Sequence, residues 1–248
     1  MAKRIVIISP TYNEKDNISK LTKKIDKVVS DIKSYSFTIL FVDDSSPDGT
    51  LNEIIKIKNS GLKGLKIEYI SRKDKNGLGK AYLTGMDYAL GSLGADFIIQ
   101  MDADLSHQPK YLLHFTNSFS RGAELVVASR YIPGGDTPGW PWYRKLTSSL
   151  GNHYNRLFLG DKITDYTGGF NGYEANLLKK LLKLGIKSSG YGFMTEIKFR
   201  AMKSTDNIKQ IPIKFIDREH GKSKIPKSTI FKSLLLAPKL RFNIDENE

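Results

Sequence analysis

The 248-residue chain contains no cysteine. Disulfides, zinc–thiolate sites and thiol catalysis are therefore excluded, and the composition fits a reducing compartment. Long apolar runs are also missing, because no stretch approaches the about 20 residues that a membrane-spanning helix needs. The run Ile5–Ile8 is too short for the core of a signal peptide and is soon followed by Pro10. We expect one large domain, with or without a tail, that is not integral to a membrane.

Two common nucleotide-binding motifs are absent as well. The stretch Gly77-Leu78-Gly79-Lys80 lacks the spacing of a phosphate-binding P-loop. The loop after the first predicted strand lacks the Gly-x-Gly-x-x-Gly pattern of dinucleotide-binding proteins. The sequence therefore disfavours a P-loop nucleoside triphosphatase and a nicotinamide-dependent dehydrogenase.

Acidic residues are scarce in the last quarter of the chain. The formal net charge is +13. Between Lys179 and Arg241 there are 16 lysines and arginines against four acids, a net charge of +12. Such a surface attracts nucleic acid, anionic lipid or a phosphorylated substrate. The alternative is a lysine-rich surface that simply solvates the protein.

Strand-length apolar runs alternate with segments of helical periodicity along most of the chain. We predict strands over residues 4–9, 37–42, 65–70, 97–101, 125–128 and 208–215, and late helices over 143–158 and 225–242. This alternation predicts an α/β fold with a mostly parallel central sheet flanked by helices. The loops after the first, second and fourth strands should meet at one edge of that sheet, where ligands bind in open α/β folds.

Two carboxylates follow the fourth predicted strand directly. Asp102 and Asp104 stand one residue apart, just beyond the apolar run Phe97–Met101. Carboxylate oxygens are ligands that suit Mg²⁺ or Mn²⁺, and Mg²⁺ usually takes only one or two of them, with phosphates and water completing the shell. The alternative is an aspartate turn that caps the helix beginning at Pro109. We favour the metal interpretation because the pair ends a buried strand at the ligand-binding edge.

Five segments, one of which contains the acidic pair, carry a family resemblance, and they occur in the family's order. They read Pro-Thr-Tyr-Asn-Glu (10–14), Val-Asp-Asp-Ser-Ser-Pro-Asp-Gly-Thr (42–50), Met-Asp-Ala-Asp-Leu-Ser-His (101–107), Ser-Arg-Tyr (129–131), and Phe-Ile-Asp-Arg with Gly-Lys-Ser-Lys (215–218 and 221–224). Over about residues 4 to 235 the chain resembles the dolichol-phosphate mannosyltransferases. These belong to family 2 of the inverting glycosyltransferases, which have the GT-A nucleotide-diphospho-sugar transferase fold.

The resemblance implies a role for each matching position. The expected donor-binding residues are Pro10, Tyr12, Glu14, Val42, Asp44, Asp102, Ala103, Asp104, Arg218 and Lys224. The expected contacts to the acceptor phosphate are Arg130, Arg144 and Ser148. The expected metal ligands are Asp102, Asp104 and Ser106, where Ser106 stands at a position that is glutamine in some members and water is the alternative ligand. The expected catalytic residues are Asp104, Arg130 and Arg218.

The implied reaction moves mannose from GDP-mannose to a polyprenyl or dolichyl monophosphate, with Mg²⁺ or Mn²⁺ as cofactor. Positive groups would stabilise the charge that grows on the diphosphate leaving group. The acceptor phosphate has a second pKa near ~6 and is already largely a dianion at neutral pH. We therefore expect direct in-line displacement with inversion and no essential base. Asp165 and Glu196 lie where other family members can carry a base, and for Glu196 we expect instead a structural pairing with an arginine or lysine.

A polyprenyl acceptor implies that the enzyme works at a membrane surface. We expect a catalytic domain over residues 1–224 and a basic, amphipathic C-terminal segment over 225–248. The protein is expected to be peripheral at the cytoplasmic face of a membrane, with or without a membrane-anchoring partner subunit. Trp140 and Trp142 fit an ordinary loop cluster and the bilayer interface equally well.

Three other functions compete with this one. The same fold could use UDP-glucose or another nucleotide sugar, since the loops that read base and sugar are not legible from sequence. A family 2 enzyme acting on a soluble glycan would not need Arg130, Arg144 and Ser148. A nucleic-acid-binding protein would explain the charge, but acids clustered at the ligand edge repel a phosphate backbone, so we expect no nucleic acid partner. His107 and His153 are not expected to be ligands.

Overall fold

A seven-stranded sheet forms the centre of the computed structural model, which describes residues 2–73, 77–188, 190, 192–217 and 227–242, with side chains from Leu235 onward in the last range. The strands are β1 (Lys3–Thr11), β2 (Tyr35–Asp43), β3 (Leu65–Ser71), β4 (Phe97–Gln100), β5 (Leu125–Ser129), β6 (Asn171–Glu174) and β7 (Ile208–Pro212). Their spatial order is β3-β2-β1-β4-β6-β5-β7. All pairings are parallel except the two that β6 makes with β4 and β5.

Helices cover both faces of the sheet. They are α1 (Lys15–Val29), α2 (Thr50–Ser60), α3 (Leu78–Gly91), α4 (Leu112–Ser120), α5 (Trp142–Leu159), α6 (Ala175–Lys183), α7 (Gly192–Ser204) and α8 (Lys227–Phe242). Side chains alternate along β1, so Ile5 and Ile7 face α1, α2 and α4 while Val6 and Ile8 face α3, α6 and α7. A strand buried on both faces in this way is the reason for the continuous apolar runs in the sequence.

The predicted α/β fold with a mostly parallel, helix-flanked sheet is confirmed, with one strand missed. The stretch 171–174, Asn-Gly-Tyr-Glu, carries no apolar run, and yet it pairs antiparallel with both β4 and β5. Its Gly172 packs under two rings, since a Cβ there would lie 2.7 Å from Phe119 Cζ and 2.8 Å from Phe115 Cδ1. The pairing therefore depends on tertiary contacts, and the local sequence pattern does not predict it.

The last predicted strand, over 208–215, ends earlier than expected. β7 stops at Pro212, and beyond it the backbone N–H of Lys214 donates to the Tyr111 hydroxyl (2.7 Å). The chain then continues through Phe215, whose ring lies 5.5 Å from that of His107, to Asp217. The segment therefore leaves the sheet and approaches the loops that follow β4.

Helix α8 confirms the predicted helix near the C-terminus, and it contacts α5 and α7. Ala237 is fully buried, whereas Leu235 and Phe242 are exposed. Apolar residues recur only weakly on one side of its axis. Among the described residues, none of the helices combines the length and apolar character needed to cross a bilayer. The division at residue 224 stays a prediction.

Candidate active site

The loops after β1, β2 and β4 meet at one edge of the sheet, as predicted. Each contains a residue other than glycine in the left-handed backbone region: Asn13 (φ 60°), Ser45 (φ 54°) and Leu105 (φ 65°). Such conformations cost free energy and persist where surrounding contacts impose them, which is common at functional sites. The strain in the described chain is thus concentrated at the edge where the parallel strands end.

The first two loops are tied together by a buried carboxylate. Asp43, fully buried, accepts hydrogen bonds from the Thr11 hydroxyl (3.1 Å) and from the backbone N–H (3.0 Å) and hydroxyl (2.6 Å) of Ser46. Pro10 pairs with Val42 in the β1–β2 register, and the backbone N–H of Asp44 donates to the Thr11 carbonyl (3.1 Å). Asp43 therefore shapes these two loops.

Three of the expected donor-binding side chains border the same loops. Tyr12 is 39% exposed. Glu14 accepts a hydrogen bond from Asn17 Nδ2 (2.7 Å) just before α1. Asp44 is nearly buried and lies 3.2 Å from Arg72 Nε, which follows β3. Arg72 was not singled out by the sequence, because no family segment or periodicity marks the position.

The acidic loop holds its two carboxylates differently. Asp104 is buried, and its Oδ1 accepts from the backbone N–H (3.1 Å) and the hydroxyl (2.6 Å) of Ser106. Asp102, whose side chain is 36% exposed, accepts a hydrogen bond from the Tyr82 hydroxyl on α3 (3.2 Å). Burial, together with the charge of Asp102, raises the pKa of Tyr82 well above its ordinary value. Tyr82 therefore stays protonated and donates to Asp102.

His107 supports the acidic loop from within. Its Nδ1 accepts the backbone N–H of Asp102 (3.0 Å), and its ring stacks on Phe170 and meets Phe215 edge-on. The residue is 1% exposed. This histidine therefore holds the loop in shape. His153 lies exposed on α5.

The acidic loop suits a divalent ion whose shell is completed by a substrate. Within the described ranges, no group of three or more His, Cys, Asp or Glu side chains is placed to hold a metal ion. Two carboxylates, Asp102 and Asp104, are what Mg²⁺ commonly takes from a protein when phosphates and water supply the rest. Ser106 lies beside them, but its hydroxyl proton is directed to Asp104.

Arg130, at the end of β5, is paired with a buried aspartate. Its Nε and Nη2 donate to the two carboxylate oxygens of Asp165, each at 2.7 Å, and Nη2 also donates to Thr167 Oγ1 (2.8 Å). Burial raises the pKa of Asp165, but the charge of Arg130 and its hydrogen bonds outweigh that effect and hold this pKa at about 2. Asp165 is therefore fully ionised at neutral pH and occupied by Arg130.

Arg144 and Ser148, the other two residues expected to contact the acceptor phosphate, lie beside Arg130. The guanidinium carbon of Arg144 is 3.9 Å from the centre of the Trp140 ring, and that of Arg130 is 5.6 Å from it. The Ser148 hydroxyl lies 2.6 Å from the hydroxyl of Tyr131. Trp140 is buried, and its indole N–H has no hydrogen-bond partner among the residues described. The four side chains and Tyr131 form one cluster, called the arginine cluster below.

The two tryptophans have different surroundings. Trp140 is buried and its ring lies close to both arginines, as expected of a loop cluster. Trp142, at the first turn of α5, is 76% exposed. Only Trp142 is therefore available to an external partner.

Glu196 has the structural surroundings that the sequence analysis expects. It accepts hydrogen bonds from Arg200 Nε (2.7 Å) and from the backbone N–H groups of Lys187 (3.2 Å) and Ser188 (2.7 Å). The predicted pairing with an arginine is confirmed. Burial raises the pKa of Glu196, but these hydrogen bonds lower it by more. The pKa of Glu196 is therefore below its ordinary value.

One stretch of the site was read from sequence only as a loop. The loop Asp165–Gly169 runs from the arginine cluster to the acidic loop. At one end Asp165 holds Arg130; at the other, a Cβ on Gly169 would lie 3.7 Å from the Asp102 carboxylate oxygens. The ammonium group of Lys198, on α7, donates hydrogen bonds to two backbone carbonyls of this loop. Neither its sequence spacing nor a family segment marks Lys198.

Two expected residues cannot be placed. Arg218 and Lys224 lie outside the described residues. The described chain reaches Asp217, whose carboxylate pairs with Arg144 at 2.9 Å. Asp217 is the last described residue before both of them, and it therefore lies next to the arginine cluster.

Comparisons with known proteins agree with the fold and the motifs. The family model "Glycosyl transferase family 2" matches residues 6–182. A relative named polyprenol monophosphomannose synthase, from Mycolicibacterium smegmatis, is 35% identical over 92% of this chain and 83% of its own length. Another, named undecaprenyl-phosphate mannosyltransferase, from Micrococcus luteus, is 36% identical over 90% of this chain and 87% of its own.

Solved structures support the same fold at lower identity. A crystal structure of glucosyl-3-phosphoglycerate synthase from Mycobacterium tuberculosis, with Mn²⁺, UDP and glucosyl-3-phosphoglycerate, superposes with a TM-score of 0.68. It is 17% identical, and the match covers 99% of this chain and 82% of that one. Mannosyl-3-phosphoglycerate synthase from Rubrobacter xylanophilus gives a TM-score of 0.65 at 18% identity, covering 98% and 74%. The chain thus has a GT-A-like fold, belongs to glycosyl transferase family 2 and is a glycosyltransferase.

Proposed function

We propose that this enzyme transfers mannose from GDP-mannose to a polyprenyl monophosphate, in a metal-dependent reaction that inverts the sugar configuration. One observation carries the proposal: the acidic loop and the arginine cluster lie at the same sheet edge and are bridged by the loop Asp165–Gly169. An acidic pair suits a metal-bound diphosphate, and paired arginines suit a phosphate. The names of the two relatives above support the sugar and the lipid acceptor.

The donor is assigned to the loops after β1, β2 and β4. The nucleotide would lie along Pro10, Tyr12, Glu14, Val42 and Asp44, with Ala103 and the two acidic-loop carboxylates near the diphosphate. Arg218 and Lys224 would complete the diphosphate contacts. Asp44 is oriented for this role by Arg72, and the loops around it are braced by Asp43.

Asp102 and Asp104 would hold Mg²⁺ or Mn²⁺, which neutralises charge on the leaving diphosphate. The Tyr82 hydroxyl orients Asp102, and the Ser106 hydroxyl orients Asp104. Ser106 also remains our candidate third ligand, with water as the alternative. Hydrogen bonds of this kind fix the direction of ligating carboxylates and tune their affinity for a metal.

The arginine cluster would receive the acceptor phosphate. An oxygen of the phosphate dianion attacks the anomeric carbon, a new carbon–oxygen bond forms, and the bond to the diphosphate breaks on the opposite face. Arg130, Arg144 and Ser148 carry donors that can orient the dianion, which needs no base. Asp165 does not suit a base, because Arg130 occupies its carboxylate and its pKa is about 2.

The distribution of polar and apolar side chains on α5 supports a membrane-bound acceptor. The side of α5 that faces the protein carries the polar residues Ser148, Asn152 and Asn155 and, at its end, Leu159; the last three are buried. Its outer side carries the exposed apolar residues Trp142, Tyr143, Leu146, Leu150 and Leu157. At 3.6 residues per turn these five fall within an arc of about 100°. We call them the α5 stripe.

The α5 stripe fits the interface of a lipid bilayer. It extends about 22 Å at ~1.5 Å of rise per residue, and it begins with an exposed tryptophan, a residue favoured at that interface. Arg144 and Ser148 lie on the same helix, so docking of the stripe would bring the arginine cluster to the height of lipid phosphates. We propose that the enzyme is peripheral at the cytoplasmic face, where a membrane-anchoring subunit would add to the same contact.

A radiolabelled sugar-transfer assay tests the function. It uses polyprenyl phosphate in detergent, Mg²⁺ or Mn²⁺, and either GDP-mannose or UDP-glucose as donor. We expect label from GDP-mannose in the lipid phase, lost in Asp104→Ala and after chelation. The control Asp87→Ala removes an exposed acid of α3 and should retain full activity.

Other results would change specific parts of the proposal. Label from UDP-glucose alone would contradict the donor assignment while leaving the acceptor and the site in place. Transfer that persists in a chelator would contradict the metal. Absence of transfer from either donor, with GDP binding retained, would contradict the polyprenyl phosphate acceptor.

A further inference from the structure

A buried lysine remains outside the proposed chemistry. Lys198 of α7 is 0% exposed, on a helix whose Met194, Ile197 and Ala201 belong to the hydrophobic core. Removing an ammonium group from water is costly unless the surroundings replace its hydrogen bonds. A lysine at such a position therefore requires a specific set of acceptors.

The acceptors are two main-chain carbonyls of one loop. Lys198 Nζ donates to the carbonyl oxygens of Asp165 (2.8 Å) and Gly168 (2.7 Å). These are the two ends of a turn whose interior is closed by the Gly168 N–H donating to the Asp165 carboxylate (2.8 Å). An ammonium has three donors and no acceptor, so it can hold both carbonyls at once.

The clamped turn carries the residues that set both halves of the site. The Asp165 carboxylate fixes the guanidinium of Arg130, and the next residue but one, Thr167, accepts from the same guanidinium. Beyond Gly168, Gly169 lies against Asp102. Burial lowers the pKa of Lys198 to about 7, against the opposing charge of Asp165, and Arg130 adds a small repulsion.

We propose that Lys198 is a positioning residue for the acceptor phosphate: it clamps the Asp165–Gly168 turn and so holds Arg130 in the orientation that receives the phosphate. The proposal rests on the proposed function for its kinetic consequence. The geometric part, that Lys198 fixes Arg130, stands by itself. Lys198 does not touch the reacting groups.

The experiment compares the full-length enzyme with Lys198→Met, which keeps the stem and removes the donors. Lys203→Met, an exposed lysine on the same helix, is the matched control. The first readout is the NMR signal of the Arg130 Nε–H group, assigned by its loss in Arg130→Lys. We expect this signal to shift and exchange faster with water in Lys198→Met, and to stay unchanged in the control.

The second readout is kinetic, below the melting temperature of each variant. We expect KM for polyprenyl phosphate to rise at least about fivefold in Lys198→Met while KM for the sugar donor stays within about twofold, as for loss of one oriented charged contact. Lys198→Gln keeps two N–H donors and should recover part of both effects. It also serves as the test variant if Lys198→Met does not fold.

The two readouts separate the possible failures. An unchanged Arg130 signal in a folded variant, or an unchanged KM for the acceptor with a merely lower melting temperature, would overturn the positioning role. An altered Arg130 signal in an enzyme whose wild type transfers no sugar to polyprenyl phosphate would support the clamp and contradict the proposed function.

Discussion

Individual charged residues of this glycosyltransferase are distinguished by what surrounds them. Arg130 and Arg144 were expected to play one role, yet Arg130 is buried against Asp165 and Arg144 pairs with the half-exposed Asp217. Removing one partner of a buried ion pair lowers the free energy of unfolding strongly. Removing one partner of an exposed pair lowers it little. The same substitution should therefore have very different effects at the two aspartates.

Asp165→Asn should destabilise the protein strongly. It leaves the buried Arg130 charge without a counter-charge, which typically costs about 3 kcal/mol or more. The matched change Asp217→Asn should cost under about 1 kcal/mol. Urea unfolding monitored by circular dichroism measures both, and equal effects would show that the Arg130 pair is not buried in solution.

The stability of the enzyme should rise with pH between about 7 and 10 because of Lys198. Its pKa is about 7 in the folded protein and 10.5 as a free side chain. Between these values the unfolded chain binds the extra proton, so the free energy of unfolding increases by up to about 1.4 kcal/mol per pH unit. Lys198→Met should lose this slope.

Chemical denaturation of wild type and Lys198→Met at several pH values measures that slope. The range should end below pH ~10, the ordinary tyrosine pKa. Burial raises the pKa of Tyr82, Tyr166 and Tyr173, so above that pH they make stability fall. Parallel pH profiles for the two proteins would contradict an ionisable Lys198.

Secondary-structure elements place the site by packing closely in some places and exposing apolar surface in others. Helix α3 lies against the ends of β1 and β2, where a Cβ on Gly85 would meet Ile8 Cγ2 at 2.6 Å and Val42 Cγ2 at 3.1 Å. Helix α5 instead directs five apolar side chains to solvent. The first contact contributes to stability, and the second is the surface that we propose for membrane contact.

Gly85→Ala should destabilise the fold by about 1–3 kcal/mol, because the added methyl overpacks the α3–sheet contact. Gly151→Ala in α5 is the control, since a Cβ there meets nothing within 4 Å. That change should be neutral or stabilise by up to ~1 kcal/mol through helix propensity. Thermal and urea unfolding compare the two; a Gly85→Ala protein as stable as wild type would contradict the close approach of α3.

Charges placed in the α5 stripe should release the enzyme from membranes. The double change Leu150→Asp and Leu157→Asp should weaken binding to lipid vesicles at least about tenfold, given ~1.5–3 kcal/mol for each fully buried leucine. Leu113→Asp, at an exposed leucine of α4, should change nothing. Vesicle co-sedimentation measures the effect, and equal binding by both variants would place the docking face elsewhere.

At the scale of the whole molecule, the uneven charge adds a long-range component. The net charge is +13, and +12 of it falls between Lys179 and Arg241. Each basic residue near an anionic membrane contributes about 1 kcal/mol, and salt screens the attraction. Under the proposed function, this charge would attract the protein to the membrane surface, and the α5 stripe would supply the short-range contact.

The enzyme should therefore prefer anionic vesicles. Binding to phosphatidylcholine vesicles that contain phosphatidylglycerol should be at least about tenfold tighter than to phosphatidylcholine alone, and added NaCl should remove most of the difference. Co-sedimentation across a salt series measures it. Equal, salt-independent binding to both vesicles would show that the basic quarter of the chain does not face the membrane.

The sequence by itself determined six of the seven strands, the sheet edge that carries the chemistry, and the family. Apolar runs and helical periodicity are local patterns, and Asp102, Asp104 and Arg130 directly follow strands, so their positions at the edge follow from chain order. Local patterns of this kind can be read without knowing which distant residues are in contact.

Only the tertiary structure decided the rest, because the deciding partners are far apart in sequence. β6 has no strand pattern and exists through pairing with β4 and β5. Lys198 reaches carbonyls some 30 residues away, and Tyr82 meets Asp102 across 20. The apolar side of α5 faces outward although the periodicity alone would have buried it, since periodicity reports a face but not what lies against it.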